Sequence, residues 1–261
     1  MSEFSFSPVG FIRSPWQEKF AIPRQPGLVE DGTGELHFVA PYNHADCVRG
    51  LEQFSHVWVI FVFHDIPAGS WRPLVRPPRL GGNAKMGVFA TRSTFRPNPI
   101  GMSLVELKEV CYDGDTAYLS LGSLDLLNGT PVLDIKPYLP YAESVPGALA
   151  GFAQEEPPAD MPVIFSAAAQ QFITAQAAQY PDLARFITQV LAQDPRPAYK
   201  KQQADDKIYA VHLLDLNVRW HIRDGVTEVI SLEKSLNPFW GAAVTGKLSG
   251  LTSLLRRIFL R

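Results

Sequence analysis

The stretch TRSTFRPNPIG, residues 91–101, combines more backbone restriction and positive charge than any other part of the sequence. Pro97 and Pro99 fix their own φ angles and push the residue before each of them toward extended backbone. We therefore predict a stiff, extended, non-helical arm that follows one strand and leads into the next. The arm ends at Gly101, where the missing Cβ permits a turn or the close approach of a ligand.

Three polar side chains of this arm, Arg92, Arg96 and Asn98, are positioned at a small entropic cost, which suits recognition of an anionic or planar polar ligand. The alternative is a proline-rich surface loop with two solvated arginines. The surrounding sequence favours a site, because residues 66–105 contain no Asp or Glu. The basic residues of that region are Arg72, Arg76, Arg79, Lys85, Arg92 and Arg96. Such a positive field predicts a polyanion or a phosphate- or carboxylate-bearing small molecule, with a solvated basic surface as the alternative.

Composition describes an ordinary globular chain of 261 residues, with 24 Lys+Arg against 26 Asp+Glu and 46% hydrophobic residues to build a core. The residues after Met1 lack a charged-then-apolar leader, and no apolar run reaches the length of a membrane span. Cys47 and Cys111 are too few for a disulfide scaffold and too far apart for a zinc knuckle. We expect a cytoplasmic protein without a membrane anchor.

Short apolar or alternating segments in the first half predict six or seven strands, at residues 6–13, 34–40, 56–64, 86–91, 102–110, 116–121 and 132–138. The segment HVWVIFVFH, residues 56–64, is almost continuously apolar and is expected to be buried on both faces at the centre of the core. Asn43 is the predicted N-cap of a short helix with Val48, Leu51 and Phe54 on its apolar side. Many short strands with few helices predict a β-barrel or sandwich over residues 1–141.

The second half begins with a linker, residues 142–162, rich in Ala, Gly, Pro and Glu. Helical periodicity follows at residues 166–179 and 182–193, with apolar faces formed by Phe172, Leu183, Phe186, Ile187, Val190 and Leu191. Three strands are predicted at residues 207–214, 217–223 and 226–232, with a hairpin turn at Asp224 and Gly225. Residues 163–235 are thus predicted to form a small α+β domain. The acid-free basic tail at residues 236–261 is expected either to form an amphipathic helix that touches RNA or membrane, or to fray.

Familiar catalytic motifs do not account for the chain. None of its glycines lies between a strand and a helix as a Rossmann nucleotide site requires. The six histidines match no metal-ligand spacing, so we expect no metal, and His56 and His64 are predicted to be hydrogen-bonded core residues. A Ser-His-Asp triad stays open, although no G-x-S-x-G elbow is present.

The remaining candidates lie on loops and strand ends of the first domain, where binding side chains usually sit. They are Arg24, Gln25, Arg92, Arg96, Asn98, Asp125, Asp134, Lys136 and Tyr138. Alternation places Asp134, Lys136 and Tyr138 on one face of a strand, either as one polar cluster or as a solvated face. A structural ion pair is the other interpretation of the Asp134 and Lys136 pair.

Four stretches, TRSTFRPNPIG, LDLLNGTPVLDIKPY, RPPRLGG and AIPRQPG, together resemble the TsaA-like family, and DPRPAYKK and DLNVRW are similar to the bacterial TrmO type within it. The resemblance covers most of the chain up to about Leu232. It implies a β-barrel that binds S-adenosylmethionine outside the Rossmann fold and assembles as a homodimer. It also implies methyl transfer to the N6 atom of N6-threonylcarbamoyladenosine beside the anticodon of certain tRNAs.

The same resemblance implies roles for individual residues. The cofactor would be held by Pro23, Arg24, Gln25, His64, Asp65, Arg92, Asp125, Leu126, Leu127, Asn128, Gly129 and Thr130. Asn98, Asp134, Lys136 and Tyr138 form the expected catalytic group, in which Asp134 or Tyr138 assists proton loss and Lys136 or Arg92 stabilises charge on the substrate. Arg72, Arg76, Arg79, Lys85 and Arg96 would contact the tRNA backbone.

Two other function classes remain from the sequence. One is a non-catalytic module in which the same barrel binds S-adenosylmethionine, a nucleotide or RNA without methyl transfer. The other is a hydrolase, which a metal in the purified protein would support.

Overall fold

The computed structural model describes residues 4–67, 69–196 and 207–235, so the predicted basic tail at residues 236–261 lies outside the described residues. The strands are β1 Gly10–Arg13, β2 Gly34–Phe38, β3 His56–Val62, β4 Leu74–Val75, β5 Met86–Gly87, β6 Ile100–Asp113, β7 Thr116–Leu121, β8 Pro131–Pro137, β9 Val163–Phe165, β10 Tyr209–Leu213, β11 Leu216–Arg223 and β12 Val226–Lys234. The α-helices are α1 Pro140–Glu143, α2 Ala167–Ala175 and α3 Leu183–Ala192. Short 3₁₀ helices span Ala45–Val48, Leu51–Gln53, Pro78–Leu80, Val88–Ala90 and Gly151–Ala153. The prediction of a mainly β chain is confirmed.

Six antiparallel strands form a closed ring in the order β1-β2-β7-β6-β3-β8, with β8 pairing back to β1. Alternating side chains fill its interior, including Ile12, Leu36, Leu119 and Val132. Closure leaves these six strands with hydrogen-bonded neighbours on both sides, so the ends of the ring, rather than a sheet edge, are free to carry loops.

The prediction that residues 56–64 are buried on both faces is wrong. Burial alternates along β3, where Val57, Val59 and Phe61 are buried while Trp58 and Ile60 are only half-buried on the outer face. Because a closed ring has one interior, only every second side chain of a strand can enter it. The apolar outer face packs partly against Tyr138, whose ring lies 6.3 Å from that of Trp58.

A second, four-stranded sheet has the order β10-β11-β12-β9, with β9 parallel to β12. The two predicted helices are confirmed as α2, capped by the Ser166 side chain, and α3, whose apolar residues are buried. The predicted hairpin turn is also confirmed, since Asp224 and Gly225 both have positive φ between β11 and β12. β9 was not predicted from the sequence.

Trp16 joins the ring to the second sheet. Its side chain is fully buried in the same core as α3, with its ring 5.6 Å from that of Phe186. Its indole Nε1 donates a 2.8 Å hydrogen bond to the carbonyl of Leu124, at the end of the ring. A segment of the long connection after β1 therefore packs on the second core although it lies far away in sequence.

Three local predictions differ from the structure. The strand predicted at residues 86–91 is limited to Met86–Gly87 and turns into a 3₁₀ helix, since the backbone N–H of Thr91 bonds to the carbonyl of Val88. His44, rather than Asn43, caps the helix Ala45–Val48, because its Nδ1 accepts from the N–H of Asp46. The proline arm is non-helical as predicted, but tight turns interrupt it, such as the 2.7 Å bond from Ile100 N–H to the Asn98 carbonyl.

Candidate functional site

A cavity of about 430 Å³ opens where the end of β3 and the start of β6 meet the loop after β7. Four sequence-distant segments line it, contributed by residues 19–25, 61–66, 91–103 and 125–130. Eleven residues predicted as site residues are among its walls: Pro23, Arg24, Gln25, His64, Asp65, Arg92, Arg96, Asp125, Leu126, Leu127 and Thr130. The volume lies within the range of pockets that hold small molecules.

The two proline-flanked arginine loops meet at this cavity. The Arg92 guanidinium donates a 2.5 Å hydrogen bond to Oε1 of Gln25, 67 residues away in sequence. Burial, followed by the neighbouring charge of Arg79, lowers the pKa of Arg24. Within the described part of the chain, neither Arg24 nor Arg92 has a carboxylate within the 4.0 Å ion-pair distance. This wall therefore offers two guanidinium groups without a close carboxylate partner to an anionic group.

A carboxylate, Asp125, lines the same cavity and interacts electrostatically with Arg92. Asp125 accepts a 2.6 Å hydrogen bond from Ser103 Oγ, and burial raises the pKa of Asp125 to about 6, against the opposing effects of Ser103 and Arg92. A carboxylate held in this way retains a charge at neutral pH and is poorly solvated, which makes it a strong partner for a cation. The cavity thus presents both signs of charge to one ligand.

The predicted cofactor loop at residues 125–130 divides into two parts. Asp125, Leu126, Leu127 and Thr130 line the cavity, whereas Asn128 and Gly129 do not. The Asn128 side chain accepts from the backbone N–H of Ser14 and donates to Gln17, and Gly129 adopts a φ of 78°. The backbone N–H of Gly129 also donates to the carbonyl of Ile12 at 2.8 Å, so both residues anchor the loop to the start of the chain.

The histidine predictions need correction. His64 is not a core residue but lines the cavity, where burial is the main cause that lowers its pKa. His56 is half-buried, and its Nδ1 lies 2.9 Å from Ser55 Oγ at an exposed position. Closing the ring placed both ends of β3 near solvent. Asp65 beside His64 forms a 3.0 Å ion pair with Lys19, which also lines the cavity.

The predicted catalytic residues lie outside the cavity walls. Asp134 and Lys136 form a 2.8 Å ion pair on the outer face of β8, and the ring of Tyr138 packs against Trp58 on the same face. Asp134 pairs with Ile60, one residue before Phe61, which lines the cavity. Asn98 is exposed on the arm. Ile60 also pairs with Met102, which lines the cavity, so Asp134 lies near the cavity edge but not in its wall.

Four basic side chains predicted to meet the substrate, Arg72, Arg76, Arg79 and Lys85, are all exposed in the segment that contains β4 and β5, and none of them lines the cavity. Arg79 also donates a hydrogen bond to the carbonyl of Glu155. The fifth, Arg96, reaches the cavity wall and donates to the carbonyls of Val88 and Thr91.

Sequence reasoning missed the apolar and hydroxyl part of the site. Phe61, Phe63, Met102 and Ser103 line the cavity, and none was proposed as a site residue. Gly101 leaves room for the Phe61 side chain, because a Cβ at this position would lie 2.3 Å from the Phe61 ring. Phenylalanine, methionine and serine do not by themselves indicate a ligand site. Only a prediction of strand pairing would have identified these four residues as cavity walls.

Some chemistries have no counterpart in the structure. Among residues 4–67, 69–196 and 207–235, no three His, Cys, Asp or Glu side chains are grouped so as to hold a metal ion. In the same ranges, no helix has the length and apolar character needed to cross a membrane.

Comparison with known families identifies the chain over most of its length. Residues 11–144 match the model of the tRNA-methyltransferase O N-terminal domain, and residues 158–235 match the TrmO C-terminal domain. The chain belongs to the TrmO family. A TrmO-family relative in Escherichia coli K12, a tRNA (adenine(37)-N6)-methyltransferase, is 63% identical over 233 residues, which cover 89% of this chain and 99% of the relative.

Two Pseudomonas aeruginosa relatives extend this likeness within the TrmO family. A putative S-adenosylmethionine-dependent methyltransferase is 49% identical over 219 residues, covering 83% of this chain and 92% of its own length. A crystal structure of TrmO from the same organism superposes with a TM-score of 0.73 at 40% identity, covering 90% of this chain and 99% of that one. The ring, the second sheet and their connection are therefore features of the TrmO fold.

Proposed function

We propose that this chain is an S-adenosylmethionine-dependent methyltransferase that acts on N6 of adenine 37 in tRNA. The observation that carries the proposal is the cavity lined by Asp125, Arg24 and Arg92, next to an acid-free basic stretch of the chain. Membership of the TrmO family, and the names of the relatives in Escherichia coli and Pseudomonas aeruginosa, support the reaction and the cofactor.

The cavity fits S-adenosylmethionine in its chemistry. This cofactor combines an adenine ring with a methionine end that carries one carboxylate and two positive charges. Apolar side chains such as Phe61 and Leu126 suit the ring, the Arg24 and Arg92 guanidinium groups suit the carboxylate, and Asp125 suits the cationic centres. When bound, the cofactor supplies a sulfonium methyl group that a nucleophile can attack.

Several further assignments rest on this proposal. The closed ring, within residues 1–141, is the cofactor-binding barrel, residues 142–162 form a connection, and residues 163–235 form a small α+β domain. Besides the cavity-lining residues, Asn128 and Gly129 belong to the cofactor site as supports of its loop. Arg72, Arg76, Arg79, Lys85 and Arg96 engage tRNA phosphates, whose affinity then falls with salt.

The proposed acceptor is the N6 atom of N6-threonylcarbamoyladenosine. This nitrogen resembles a urea nitrogen, since its lone pair is delocalised and it carries a proton, so transfer needs alignment with the methyl group and assistance to proton loss. Asp134 lies beside the cavity edge and is the proposed proton acceptor, with Tyr138 as the second candidate. Lys136, paired to Asp134, stabilises the charge that develops on the substrate. Asn98, which lies on the proline arm, positions the substrate adenine.

A homodimer acting in the cytoplasm, where tRNA is modified, completes the proposal. The outer face of β6 leaves apolar side chains exposed, with Ile100 at 41% and Met102 at 50%, next to half-buried Ile60 and Trp58 on β3. Burial of such a surface against a second copy is favourable.

The test measures transfer of labelled methyl from S-adenosylmethionine to tRNA with and without the threonylcarbamoyl group. We expect transfer to the modified tRNA alone. Asp134→Asn should reduce turnover while leaving the calorimetric affinity for S-adenosylmethionine within about twofold, because Asp134 lies outside the cavity walls. Cofactor binding without any transfer would favour a binding module, and no cofactor binding would end the proposal.

A further inference from the structure

Three aromatic side chains stand exposed on the loops beside the cavity. Phe89 is 78% exposed, Trp71 48% and Phe95 41%. Burying a large ring is favourable, so this density of exposed rings on one surface calls for a partner. We refer to Trp71, Phe89 and Phe95 as the aromatic platform.

Backbone hydrogen bonds unite the segments that carry these rings. The N–H of Arg72 bonds at 3.2 Å to the carbonyl of Phe95, which brings Trp71 beside Phe95. β4 pairs with β5, and the N–H of Val88 bonds at 3.0 Å to the carbonyl of Pro73, which places Phe89 next to the same ribbon. The segments that carry the three rings are therefore joined to one another by backbone hydrogen bonds before any ligand binds.

The platform borders the cavity. Thr94 and Arg96, on either side of Phe95, both line the cavity wall. The Arg96 guanidinium carbon lies 5.8 Å from the centre of the Phe89 ring, and Nη1 of Arg96 donates to the carbonyls of Val88 and Thr91. A ligand that enters the cavity at Arg96 would thus extend over Phe89 and Phe95.

Charge selects the kind of partner. All three rings lie within the acid-free region of residues 66–105, which also carries the exposed basic residues Arg72, Arg76, Arg79 and Lys85. A surface that combines aromatic rings with positive charge suits single-stranded nucleic acid, whose bases stack on the rings while its phosphates meet the cations. A second copy of this chain would place the same positive charges against one another.

We propose that the aromatic platform stacks unpaired bases of the RNA loop that flank the adenine entering the cavity. This inference rests on the proposed function, since it takes the methyl acceptor to be an adenine in a loop of tRNA. The basic residues position the phosphates and bind paired and unpaired RNA alike, whereas the rings provide the preference for unpaired nucleotides. Selection of a loop over a stem thus arises at Trp71, Phe89 and Phe95.

The test compares two labelled RNAs by fluorescence anisotropy, an anticodon stem-loop hairpin and a fully paired RNA of the same length. We expect Phe89→Ala and Trp71→Ala each to weaken hairpin binding roughly 5- to 150-fold, the range for loss of one stacked base. Binding of the paired RNA and the slope of log affinity against log salt should stay unchanged, because no phosphate contact is removed. Phe89→Leu keeps an apolar side chain and should show most of the same loss.

Tyr112→Ala is the matched control, since Tyr112 is 53% exposed but lies at the far end of β6, away from the cavity. If the platform variants bind the hairpin as tightly as wild type while wild type still methylates tRNA, the proposed stacking role of the platform is wrong and the proposed function stands. Equal losses for hairpin and paired RNA would also overturn it. A lower oligomeric mass of the platform variants in sedimentation would overturn it as well, because the surface would then be a contact between protein chains. If wild type neither binds the hairpin nor methylates tRNA, the proposed function itself fails.

Discussion

Ser103 Oγ donates a 2.6 Å hydrogen bond to Oδ1 of Asp125 at the cavity wall, and this contact joins the start of β6 to the loop after β7. The hydroxyl stabilises the ionised carboxylate, whereas burial destabilises it and leaves the pKa of Asp125 at about 6. Asp125 is thus charged at neutral pH but loses its charge within an accessible pH range.

Cofactor affinity should depend on that charge. Below pH 6 Asp125 is protonated and attracts the cationic methionine end less, so S-adenosylmethionine should bind more tightly as pH rises from 5 to 7. Asp125→Asn should weaken binding at pH 7.5 roughly 10- to 100-fold and flatten the profile, since a charged hydrogen bond is worth about 1.5–3 kcal/mol. Isothermal titration calorimetry provides the measurement. His64→Gln is the control, because His64 also titrates in the cavity, and a profile that flattens only in that variant would contradict the role of Asp125.

Asp125 should also lower stability at alkaline pH. Its folded pKa is raised above the unfolded value, so its contribution is favourable below about pH 4 and is lost as pH rises through 6. The raised pKa corresponds to at most about 3 kcal/mol. Asp125→Asn should therefore gain stability over wild type at pH 8 and little at pH 4, as measured by urea unfolding. A gain of equal size at both pH values would mean that the charge is not the cause.

Gly101→Ala should destabilise the ring. An added Cβ would lie 2.3–2.9 Å from atoms of the Phe61 ring, and such overpacking costs about 1–3 kcal/mol. The loss should be partly recovered when Phe61→Leu is combined with it, which a double-mutant cycle in urea would reveal. Gly87→Ala serves as the control, because its Cβ would meet nothing within 4 Å and its φ is −58°. Strict additivity of the Gly101 and Phe61 changes would argue against this contact.

Arg76→Gln should reduce the salt dependence of tRNA binding. Each phosphate contact contributes about 0.7–0.9 to the slope of log affinity against log salt, so losing one contact should lower the slope by that amount. The preference for hairpin over paired RNA should persist, because Arg76 provides no stacking surface. Filter binding across a salt series measures both. Arg49→Gln, at an arginine already paired with Asp46, should leave the slope unchanged, and equal effects of the two changes would contradict a specific basic surface.

Trp16→Ala should loosen the connection between the ring and the second sheet. It removes a fully buried ring from the core shared with Phe186 and leaves the Leu124 carbonyl without its donor, at a cost of about 3–5 kcal/mol. We expect the calorimetric unfolding transition to broaden or divide in two. The exposed Trp71→Ala should change stability by about 0.5 kcal/mol or less. A single, sharp transition in Trp16→Ala at an unchanged temperature would show that the units do not depend on this residue.

Local patterns in the sequence were sufficient to predict most elements. The strand predicted at residues 116–121 matches β7 to the residue, and the Asp224–Gly225 pair predicted the hairpin between β11 and β12. The periodicity that predicted α2 and α3 likewise reflects interactions between near neighbours. The burial of residues 56–64 could not be predicted in this way, because a continuous apolar run does not reveal whether one or both faces of a strand are covered.

The sequence by itself determined which residue types are available for a site: prolines that stiffen the arginine loops, an acid-free basic region, and Asp125 in a glycine-containing loop. Only the tertiary structure decided which of them meet. The folded chain brings Gln25 to Arg92 and Ser103 to Asp125, and strand pairing in the ring leaves Asp134 and Lys136 on the outer face. The physical reason is that strand register and the inward or outward direction of each side chain depend on pairing across the whole ring, which no local segment specifies.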